Sequence, residues 1–586
     1  MIYILGINSA YHESSACLLK DGNIEAFAEE ERFNRIKHAK PAKFDNSDEL
    51  PANAINFCLA QANILFSDID YIGFSFDPET RLKKNVGVDK PEGLAENSWG
   101  TEAGEKIFYE KNLIVPNKLS EMADIDISNK FYFLPHHLCH AASTFFVSPF
   151  ENAAILIVDG IAEYASTWMG KGVANNIKPL LEIDYPNSLG FLWEKMSEYL
   201  GFSEYDACKV MGLASYGEAS KKMEEMSQII ILKNDGTFEI NNEIMKFRKP
   251  DFTPLENLFK VKKRKPGARL YAIHENISAA LQDLTEKALI HLSTRLYEET
   301  RSKNICLAGG VALNCVANGK ILPNTKLENI YIQPAANDSG TSIGAAYYLW
   351  NQKLNNPRSK PLKHAYLGPE YTDNEIRKIL ESNDLTYSQI KYPEVYIANM
   401  ISQGVIVAWF SGRMEAGPRA LGRRSILGDP RSPIIRDVLN NKVKFREIFR
   451  PFCPSVLKED AREWFEIDQF DEPAHYMLIA YKVKKDKIEL IPAVTHVDTT
   501  ARIQLVTRET NPRYHKLISE FKKQTGVPIL LNTSFNIQEP IVCSPQDAVN
   551  TFKKSQIDCL VIGDFIVERW GREDYWQNTV VEEKRS

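Results

Sequence analysis

The sequence contains no apolar run that approaches the roughly 20 residues of a transmembrane helix, so we expect no membrane partner. Its first residues, "MIYILGINSAYHESSACLLKDG", show neither a basic region nor a small-residue cleavage site, so we expect no signal peptide. The nine cysteines are scattered and form no CxxC pair. This spacing disfavours a disulfide framework or a zinc ribbon and favours a cytoplasmic location.

A strong excess of charge of either sign is also missing. The formal net charge is −6, and this mildly acidic balance argues against a nucleic-acid partner. We find no internal repeat and no low-complexity segment. A chain of 586 residues is too long for one hydrophobic core, so we expect two or three domains.

Strand and helix patterns alternate along the chain, which predicts an α/β (α+β) fold. "YILGIN" begins a strand series with an Asp-Gly hairpin signal, and apolar spacing predicts a long helix from Asn276 to Arg301. A stretch rich in Pro, Asn and Lys near residues 352–372 predicts a domain boundary. We therefore expect a first domain at 1–355, a linker at 356–372 and a second domain at 373–586.

Three of the eleven histidines fall within "HHLCH", at positions 136–140. His136 and His140 are four residues apart, so on a helix that starts after Pro135 they share one face and can reach the same ion. Asp159 follows the apolar strand "AAILIV", and Asp338 lies in a glycine-containing turn before a helix. Polar groups of α/β sites gather at such positions.

These four residues form a mixed nitrogen and oxygen donor set, which suits Fe²⁺, Mn²⁺ or Zn²⁺ better than a soft metal. The alternative interpretation is that the histidine pair packs or caps a helix. His137 would point about 100° away from His136 on a helix, and for it we expect a packing role.

Glycine turns after predicted strands are candidates for binding phosphate through backbone N–H groups. They are Asp159-Gly160, Gly309-Gly310 and Ser339-Gly340. Each is weak evidence alone, because such turns are common. Together they favour a fold that holds a nucleotide between two halves.

The second half is dense in arginine, the residue suited to bidentate capture of phosphate or carboxylate. The arginines of this stretch are Arg413, Arg419, Arg423, Arg424, Arg431, Arg436, Arg446 and Arg450. A solvated face is the ordinary explanation of such a run. The surrounding turns, "GPRALG" and "FRPFCPS", favour a pocket instead.

Seven motifs occur in one order: "HHLCHAAS…VDG", "KVMGLASYG", "GGVALN", "NDSGTSIGAA", "GPRALGRRSIL", "FRPFCPS" and "LNTSFN". In this order they resemble the O-carbamoyltransferase family of NodU, CmcH and TobZ over nearly the whole chain. The resemblance implies an N-terminal actin-like ATPase (ASKHA-type) domain followed by a YrdC-like α/β domain. "SEYDACKVMGLASYG" is irregular before Lys209, and "HAKPAKFDNSDELPAN" is longer than the usual turn, so the acceptor is not implied.

The resemblance also implies roles for individual residues. The metal ligands would be His136, His140, Asp159 and Asp338, with Fe²⁺ as the usual ion and Mn²⁺ or Mg²⁺ as alternatives. The residues for ATP, carbamoyl phosphate and the adenylate would be Lys37, Asp159, Gly160, Lys209, Gly309, Gly310, Asn314, Asp338, Arg419, Arg450, Arg502, Asn532 and Ser534. His12, from "YHESSA", would be the catalytic base on the acceptor hydroxyl.

The activity implied is ATP-dependent transfer of a carbamoyl group from carbamoyl phosphate, through carbamoyl adenylate, to a hydroxyl of a small molecule in natural-product biosynthesis. A homodimer is the default expectation. The alternatives are a threonylcarbamoyl or tRNA-modifying enzyme, a hydrogenase-maturation carbamoyltransferase, an actin-like nucleotide switch and a sugar kinase. The acidic chain, the missing CxxC repeats and the arginine-rich second half argue against them.

Overall fold

The start of the chain forms a five-stranded sheet in the computed structural model, which describes residues 1–85, 94–95, 97–467 and 472–569. The strands are β1 (Tyr3–Asn8), β2 (Ser15–Lys20), β3 (Asn23–Glu29), β4 (Tyr71–Phe74) and β5 (Phe131–Phe133). Their order is β3-β2-β1-β4-β5. The first three strands are antiparallel, whereas β4 and β5 continue parallel to β1. The predicted hairpin at Asp21-Gly22 is confirmed, because both residues have positive φ angles between β2 and β3.

The next strands repeat this topology. They are β6 (Asn152–Val158), β7 (Ala165–Val173), β8 (Asn176–Asp184), a separate pair β9 (Ile230–Leu232) and β10 (Phe238–Ile240), then β11 (Asn304–Ala308) and β12 (Asn329–Ile332). The second sheet has the order β12-β11-β6-β7-β8, with β6 to β8 antiparallel and β11 and β12 parallel to β6. The fold is therefore duplicated where the sequence shows no repeat, because topology tolerates different side chains on equivalent strands.

Helices surround these two sheets. They are α1 (Glu31–Asn34), α2 (Ala52–Ala62), α3 (Pro78–Asn85), α4 (Glu102–Leu113), α5 (Val115–Ala123), α6 (His136–Phe145), α7 (Leu189–Tyr199), α8 (Ala207–Ala214), α9 (Met223–Met226), α10 (Asn242–Met245), α11 (Thr253–Phe259), α12 (Ala272–Thr300), α13 (Cys315–Ile321) and α14 (Thr341–Tyr347). The long helix predicted from Asn276 is α12, which begins one turn earlier. The predicted helix after Pro135 is α6.

The second half of the chain builds an eight-stranded mixed sheet. Its strands and a separate pair are β13 (Ser388–Gln389), β14 (Val407–Phe410), β15 (Arg424–Gly428), β16 (Cys453–Leu457), the pair β17 (Tyr481–Lys482) and β18 (Thr500–Ala501), β19 (Gln504–Val506), β20 (Ile529–Ser534), β21 (Cys559–Ile562) and β22 (Phe565–Glu568). The sheet order is β13-β22-β21-β14-β15-β20-β16-β19. Its helices are α15 (Asp373–Ser382), α16 (Glu394–Ser402), α17 (Pro433–Val438), α18 (Ala461–Trp464), α19 (Pro512–Thr525) and α20 (Pro545–Lys554). The molecule is a mixed α/β protein, as expected.

The two halves share a buried apolar cluster that includes residues of both the second and the third sheet. Polar contacts also join them. Arg32 donates from Nη2 to the carbonyl of Gly417 at 2.8 Å, and the Gly417 N–H donates to Glu29 Oε1 at 2.7 Å. Leu367, within the predicted linker, accepts a backbone hydrogen bond from Phe27 at 3.2 Å. The linker residues therefore pack against the first sheet, and the division at 356–372 stays a prediction.

Candidate active site

Helix α6 carries the histidine pair. Pro135 precedes the helix, and the Glu163 carboxylate accepts a hydrogen bond from the His136 backbone N–H at 2.8 Å. His136 and His140 lie one turn apart on the buried face, with ring centroids 4.8 Å apart and planes at 87°. The predicted shared face of the helix is confirmed.

Two carboxylates from the second sheet complete the cluster. Asp159 follows β6, and Asp338 lies in the turn before α14, as the sequence predicts. The Nε2 atom of His136 is 3.5 Å from both Asp159 Oδ2 and Asp338 Oδ1. The Nε2 atom of His140 is 3.4 and 3.5 Å from the same two oxygens. One ligand atom from each residue lies within 4.8 Å of the others.

The hydrogen bonds around the cluster fit a metal site. His136 Nδ1 is 3.0 Å from the carbonyl of Ser75, and a carbonyl only accepts, so Nδ1 carries a proton and Nε2 is the ring atom that faces the two carboxylates. Both Nε2 atoms are buried without a hydrogen-bond partner among the described residues. Two free imidazole nitrogens facing two carboxylate oxygens are a donor set for a divalent first-row metal.

The electrostatics of the cluster point the same way. Burial works against charged imidazoles, but Asp338 and Asp159 raise the pKa of His136 well above its usual value. Burial also opposes charged carboxylates, yet the two histidines hold the pKa of Asp159 well below its usual range. The carboxylates therefore keep their negative charge and require positive charge between them. A protonated His136 supplies it, and a divalent cation bound to Nε2 would take the place of that proton.

His137 stands outside this cluster. It is 3% exposed, and burial lowers the pKa of its ring to about 3. Neither ring nitrogen has a hydrogen-bond partner among the described residues. Its position is that of a neutral side chain packed in the interior, which agrees with the predicted packing role.

A cavity of about 610 Å³ lies against the cluster. Predicted site residues that line it are His12, Asp159, Gly160, Gly310, Asn314, Asp338 and Arg419. The structure therefore brings together, at one cavity, the predicted base, two of the metal ligands, two glycine turns and one arginine. Of these, only Arg419 comes from the second half of the chain.

The glycine turn at Gly309 and Gly310 follows β11, and β11 is the parallel neighbour of β6. Its position beside Asp159 is therefore fixed by the sheet, and the Gly310 N–H donates to Asp159 Oδ1 at 3.0 Å. Gly309 has a φ of +91°, and a Cβ there would lie 2.3 Å from the Val158 carbonyl oxygen. Only glycine fits this close approach of two strand ends.

Asn314 also lines the cavity, but its side chain is engaged. Its Oδ1 accepts from Ala317 N at 3.1 Å and caps α13, and its Nδ2 donates to Gln282 Oε1 at 2.9 Å. These two hydrogen bonds fix the orientation of the Asn314 amide. Glu194 is a cavity residue that the sequence reasoning missed, and burial together with neighbouring Glu204 raises its pKa well above the usual value. No motif in the sequence singled it out.

Cationic side chains cluster in the second half. The pKa of Arg419 is lowered to about 10, because its guanidinium is desolvated and lies near Arg502. Desolvation and neighbouring Arg450 lower the pKa of Arg446 to about 9. Desolvation, Arg446 and Arg450 lower the pKa of Lys444 well below its usual value. Neighbouring positive charges repel one another, so a cluster of this kind is expected where an anion binds.

Asn532 and Ser534, both on β20, hold this cluster in place. Asn532 donates to the Ala420 carbonyl at 3.1 Å, next to Arg419. Lys444 donates to Ser534 Oγ at 3.3 Å and to Asn536 Oδ1 at 2.7 Å. Lys444 was missed by the sequence reasoning, although it lies within the arginine-dense stretch. Attention to lysine as well as arginine would have found it.

Other predicted residues lie elsewhere. Lys209 lines a separate groove and pairs with Asp206 at 3.1 Å and Glu447 at 3.2 Å. Lys37 is exposed, and its positive charge contributes to the lowered pKa of Lys444.

The pocket interpretation of the arginine-dense stretch applies to only part of it. Arg413 donates to the Leu367 carbonyl at 2.6 Å, and buried Arg424 stacks on Phe410 at 3.6 Å. Arg431 pairs with Asp429 at 2.7 Å. These arginines bond or pack against groups of the protein itself, because a guanidinium with five N–H groups can bond several carbonyls at once.

The comparisons with known proteins identify the family. The family model described as the carbamoyltransferase N-terminus matches residues 3–347, and the carbamoyltransferase C-terminus matches residues 398–569. The chain belongs to the carbamoyltransferase family, and it is a carbamoyltransferase enzyme. The predicted family resemblance is confirmed.

Curated relatives include proteins of several bacteria. An uncharacterized Synechocystis protein is 40% identical over 97% of both chains. The nodulation protein NolNO of Sinorhizobium fredii is 36% identical over 96% of this chain and 80% of its own length. The 3'-hydroxymethylcephem-O-carbamoyltransferase of Streptomyces clavuligerus is 29% identical over 61% of this chain and 64% of its own.

Solved structures give a weaker likeness. HypF in its phosphate- and nucleotide-bound form is 13% identical, covers 59% of this chain and 55% of that chain, and has a TM-score of 0.31. A hexokinase of Thermus thermophilus is 12% identical, covers 59% of this chain and 98% of that chain, and has a TM-score of 0.29. In the part of the chain that the structure describes, no helix has the length and apolar character needed to cross a membrane.

Proposed function

We propose that the enzyme activates carbamoyl phosphate with ATP as carbamoyl adenylate and then transfers the carbamoyl group to a hydroxyl of a small-molecule acceptor. The observation that supports this most directly is one cavity lined by the two aspartates of the His/Asp cluster, two glycine turns, Arg419 and His12. These features correspond to the needs of the two-step reaction, which are to bind a nucleotide, to bind a small anion and to deprotonate an alcohol.

ATP binds at the second sheet in this proposal. Gly160 and Gly310 line the cavity and allow its wall to approach the phosphates closely, and the Glu194 side chain, which also lines it, bonds ribose hydroxyls. A divalent cation held by His136, His140, Asp159 and Asp338 would neutralise charge on the phosphates. Fe²⁺ is the ion that the family resemblance implies, with Mn²⁺ or Mg²⁺ as alternatives.

Carbamoyl phosphate binds at the cationic cluster. Water attacks the carbonyl carbon of carbamoyl phosphate and displaces phosphate, which leaves carbamate; a carbamate oxygen then attacks the α-phosphorus of ATP and pyrophosphate leaves. Arg419, Arg502 and Arg450 offset the negative charge of these groups, and the desolvated guanidinium of Arg419 lies near Arg502. Lys444 holds Ser534 beside them. Carbamoyl adenylate and the two anions are the products of this step.

Transfer follows at the other side of the cavity. An alcohol is a poor nucleophile until a base removes its proton, and His12 lines the cavity in the loop between β1 and β2. The alkoxide oxygen attacks the carbamoyl carbon, and AMP leaves. Enclosure of the cavity by the two halves of the chain would protect an adenylate that hydrolyses readily.

The architecture supports the same division of labour. The duplicated order of the first two sheets is the argument for an actin-like ATPase module at residues 1–355. We assign residues 373–586 to a YrdC-like module that supplies the anion site. The reaction then takes place between the two modules.

The test is to mix the purified protein with ATP and ¹³C-labelled carbamoyl phosphate in the absence of acceptor. We expect AMP, pyrophosphate and a carbamoyl adenylate that carries the ¹³C label, detected by mass spectrometry. The matched control omits carbamoyl phosphate and gives unchanged ATP. ADP as the sole nucleotide product contradicts the proposal and favours a kinase or a nucleotide switch.

A further inference from the structure

One carboxylate lies between two imidazoles at the wall of the cavity. Glu13 Oε1 is 3.2 Å from Nδ1 of His38, and Glu13 Oε2 is 3.9 Å from Nδ1 of His12. All three side chains line the cavity. Neither Glu13 nor His38 has a role in the reaction described above.

The backbone holds this carboxylate in an unusual conformation. Glu13 has a φ of +53° in the left-handed region, which costs a non-glycine residue energy. The Glu13 N–H donates to the His38 carbonyl at 2.6 Å. Asn8 donates from Nδ2 to the carbonyls of His12 and Glu13 at 3.1 and 3.0 Å. Hydrogen bonds on both sides therefore fix the direction of the Glu13 side chain.

His38 is held as firmly. Its φ is +61°, its ring stacks on Tyr205 at 4.5 Å, and its backbone N–H donates to Glu31 Oε2 at 2.8 Å. Burial opposes a charged ring, but the hydrogen bond to Glu13 raises the pKa of His38. Glu31 acts in the same direction and Lys37 against it. His38 therefore satisfies one oxygen of Glu13 and leaves the other for His12.

The two remaining polar atoms, His12 Nδ1 and Glu13 Oε2, can act as hydrogen-bond donor and acceptor. His12 Nδ1 and Glu13 Oε2 are both buried and have no hydrogen-bond partner among the described residues, and they face each other. A shortening of about 1 Å converts their separation into an N–H···O hydrogen bond. Catalytic hydrogen bonds often tighten in this way when substrate binds.

We propose that Glu13 is the positioning residue of the acceptor base, with its carboxylate bridging His12 and His38. The inference rests on the proposed function, in which His12 deprotonates the acceptor hydroxyl. Glu13 accepts a hydrogen bond from His12 Nδ1–H, so the lone pair lies on Nε2, toward the cavity. The acceptor proton moves to Nε2 as its oxygen bonds to the carbamoyl carbon. The bond from that carbon to AMP breaks, AMP leaves with the electron pair, and the proton later passes to water.

The first measurement does not depend on the reaction. In protein labelled with ¹⁵N-histidine, NMR distinguishes the two neutral tautomers of each ring, and His12→Ala identifies the His12 signals. We expect the Nδ1–H tautomer in the wild type and a loss of that preference in Glu13→Gln. Asp21→Asn is the matched control, since Asp21 also has a positive φ and lies outside the cavity. An Nε2–H tautomer of His12 in the wild type overturns the inference.

The second measurement separates the half-reactions. Hydroxylamine traps carbamoyl adenylate as hydroxyurea without needing the base, and methyl α-D-glucopyranoside at high concentration serves as the model alcohol. We expect Glu13→Gln to form adenylate at the wild-type rate and to transfer about 10²-fold more slowly, with KM for the alcohol unchanged. Glu13→Asp, which keeps the charge, should recover part of the rate.

The outcomes are distinguishable from failure of the proposed function. Equal transfer by Glu13→Gln and the wild type, or joint loss of adenylate formation and transfer, overturns the role of Glu13 while the function stands. If the wild type yields ADP, the proposed function fails, and the tautomer of His12 still decides whether Glu13 orients it. If Glu13→Gln does not fold, or if the model alcohol is not carbamoylated, the tautomer of His12 in the wild type still tests the inference.

Discussion

At the scale of single residues, His136 and His137 are chain neighbours with different surroundings. His136 Nε2 faces two carboxylates at 3.5 Å, whereas His137 faces the interior without a polar partner among the described residues. The helix causes this difference, because adjacent residues point about 100° apart. The pair therefore provides a ligand variant and a matched control.

We expect His136→Ala or Asp338→Ala to lower the bound transition metal of the purified protein by at least about tenfold, since even outer partners of a metal ligand change affinity 10–100-fold. His137→Ala should retain the metal. Mass-spectrometric metal analysis after dialysis measures the content, and circular dichroism checks the fold. Full occupancy in both ligand variants contradicts the metal assignment.

Arg419 is the residue that links the cationic cluster to the cavity. We expect Arg419→Ala to slow adenylate formation by about thirtyfold to several thousandfold, the effect of losing about 2–5 kcal/mol from one charged partner of a desolvated anion. Arg431→Ala is the control, because Arg431 is occupied by Asp429 in its own turn. The measurement is AMP release from ATP and carbamoyl phosphate. A wild-type rate in Arg419→Ala shows that the anion binds elsewhere.

At the scale of elements, the position of α6 depends on its contact with α14. The two helices approach at Gly344, where a Cβ would lie 1.6 Å from the carbonyl oxygen of Cys139. Cys139 lies in the chain between His136 and His140, the two histidines proposed as metal ligands. The close approach of α14 therefore fixes the distance between α6 and the second sheet.

We expect Gly344→Ala to push these helices apart, destabilise the protein by about 1–3 kcal/mol and weaken metal binding. Gly212→Ala is the matched control, because a Cβ at this helical glycine meets its nearest atoms at 3.7 Å. Thermal unfolding and metal titration measure the two effects. Unchanged metal affinity in a folded Gly344→Ala protein argues that α14 does not position the ligands.

At the scale of the whole molecule, the active site depends on how the two halves are joined. Arg35, just after α1, donates to the carbonyls of Ile541 at 2.8 Å and Pro540 at 2.6 Å and pairs with Asp547 at 3.5 Å. The four proposed metal ligands lie in residues 136–338, whereas the cationic cluster lies in the second half. A looser junction should therefore affect the two parts of the site unequally.

We expect Arg35→Ala to retain its metal but to form adenylate about tenfold to 10²-fold more slowly, since a displacement of about 1 Å can cost that much in rate. Arg295→Ala, whose partners Glu299 and Asp235 lie in its own half, should behave as the wild type. Parallel metal analysis and AMP assays make the comparison. Equal loss of metal and activity in Arg35→Ala points to unfolding rather than to a displaced junction.

The sequence by itself determined the local features of this protein. The apolar spacing of α12, the Asp-Gly hairpin and the i,i+4 histidines on α6 all follow from chain periodicity, which acts over a few residues. The ordered motifs gave the family, which the comparisons confirm. Of the metal cluster, spacing alone predicted the shared histidine face, and the position of Asp159 followed from its place at the end of a buried strand.

Tertiary structure decided what lies together across long stretches of chain. The parallel pairing of β6 and β11 brings Gly310 to Asp159, 151 residues away, and the twofold sheet topology leaves no trace in the sequence. The density of arginine in the sequence does not distinguish Arg419, which lines the cavity, from Arg424, which is buried against Phe410. The reason is physical, because a guanidinium meets a ligand or a protein carbonyl with the same N–H groups, and only the packed fold determines which partner is in reach.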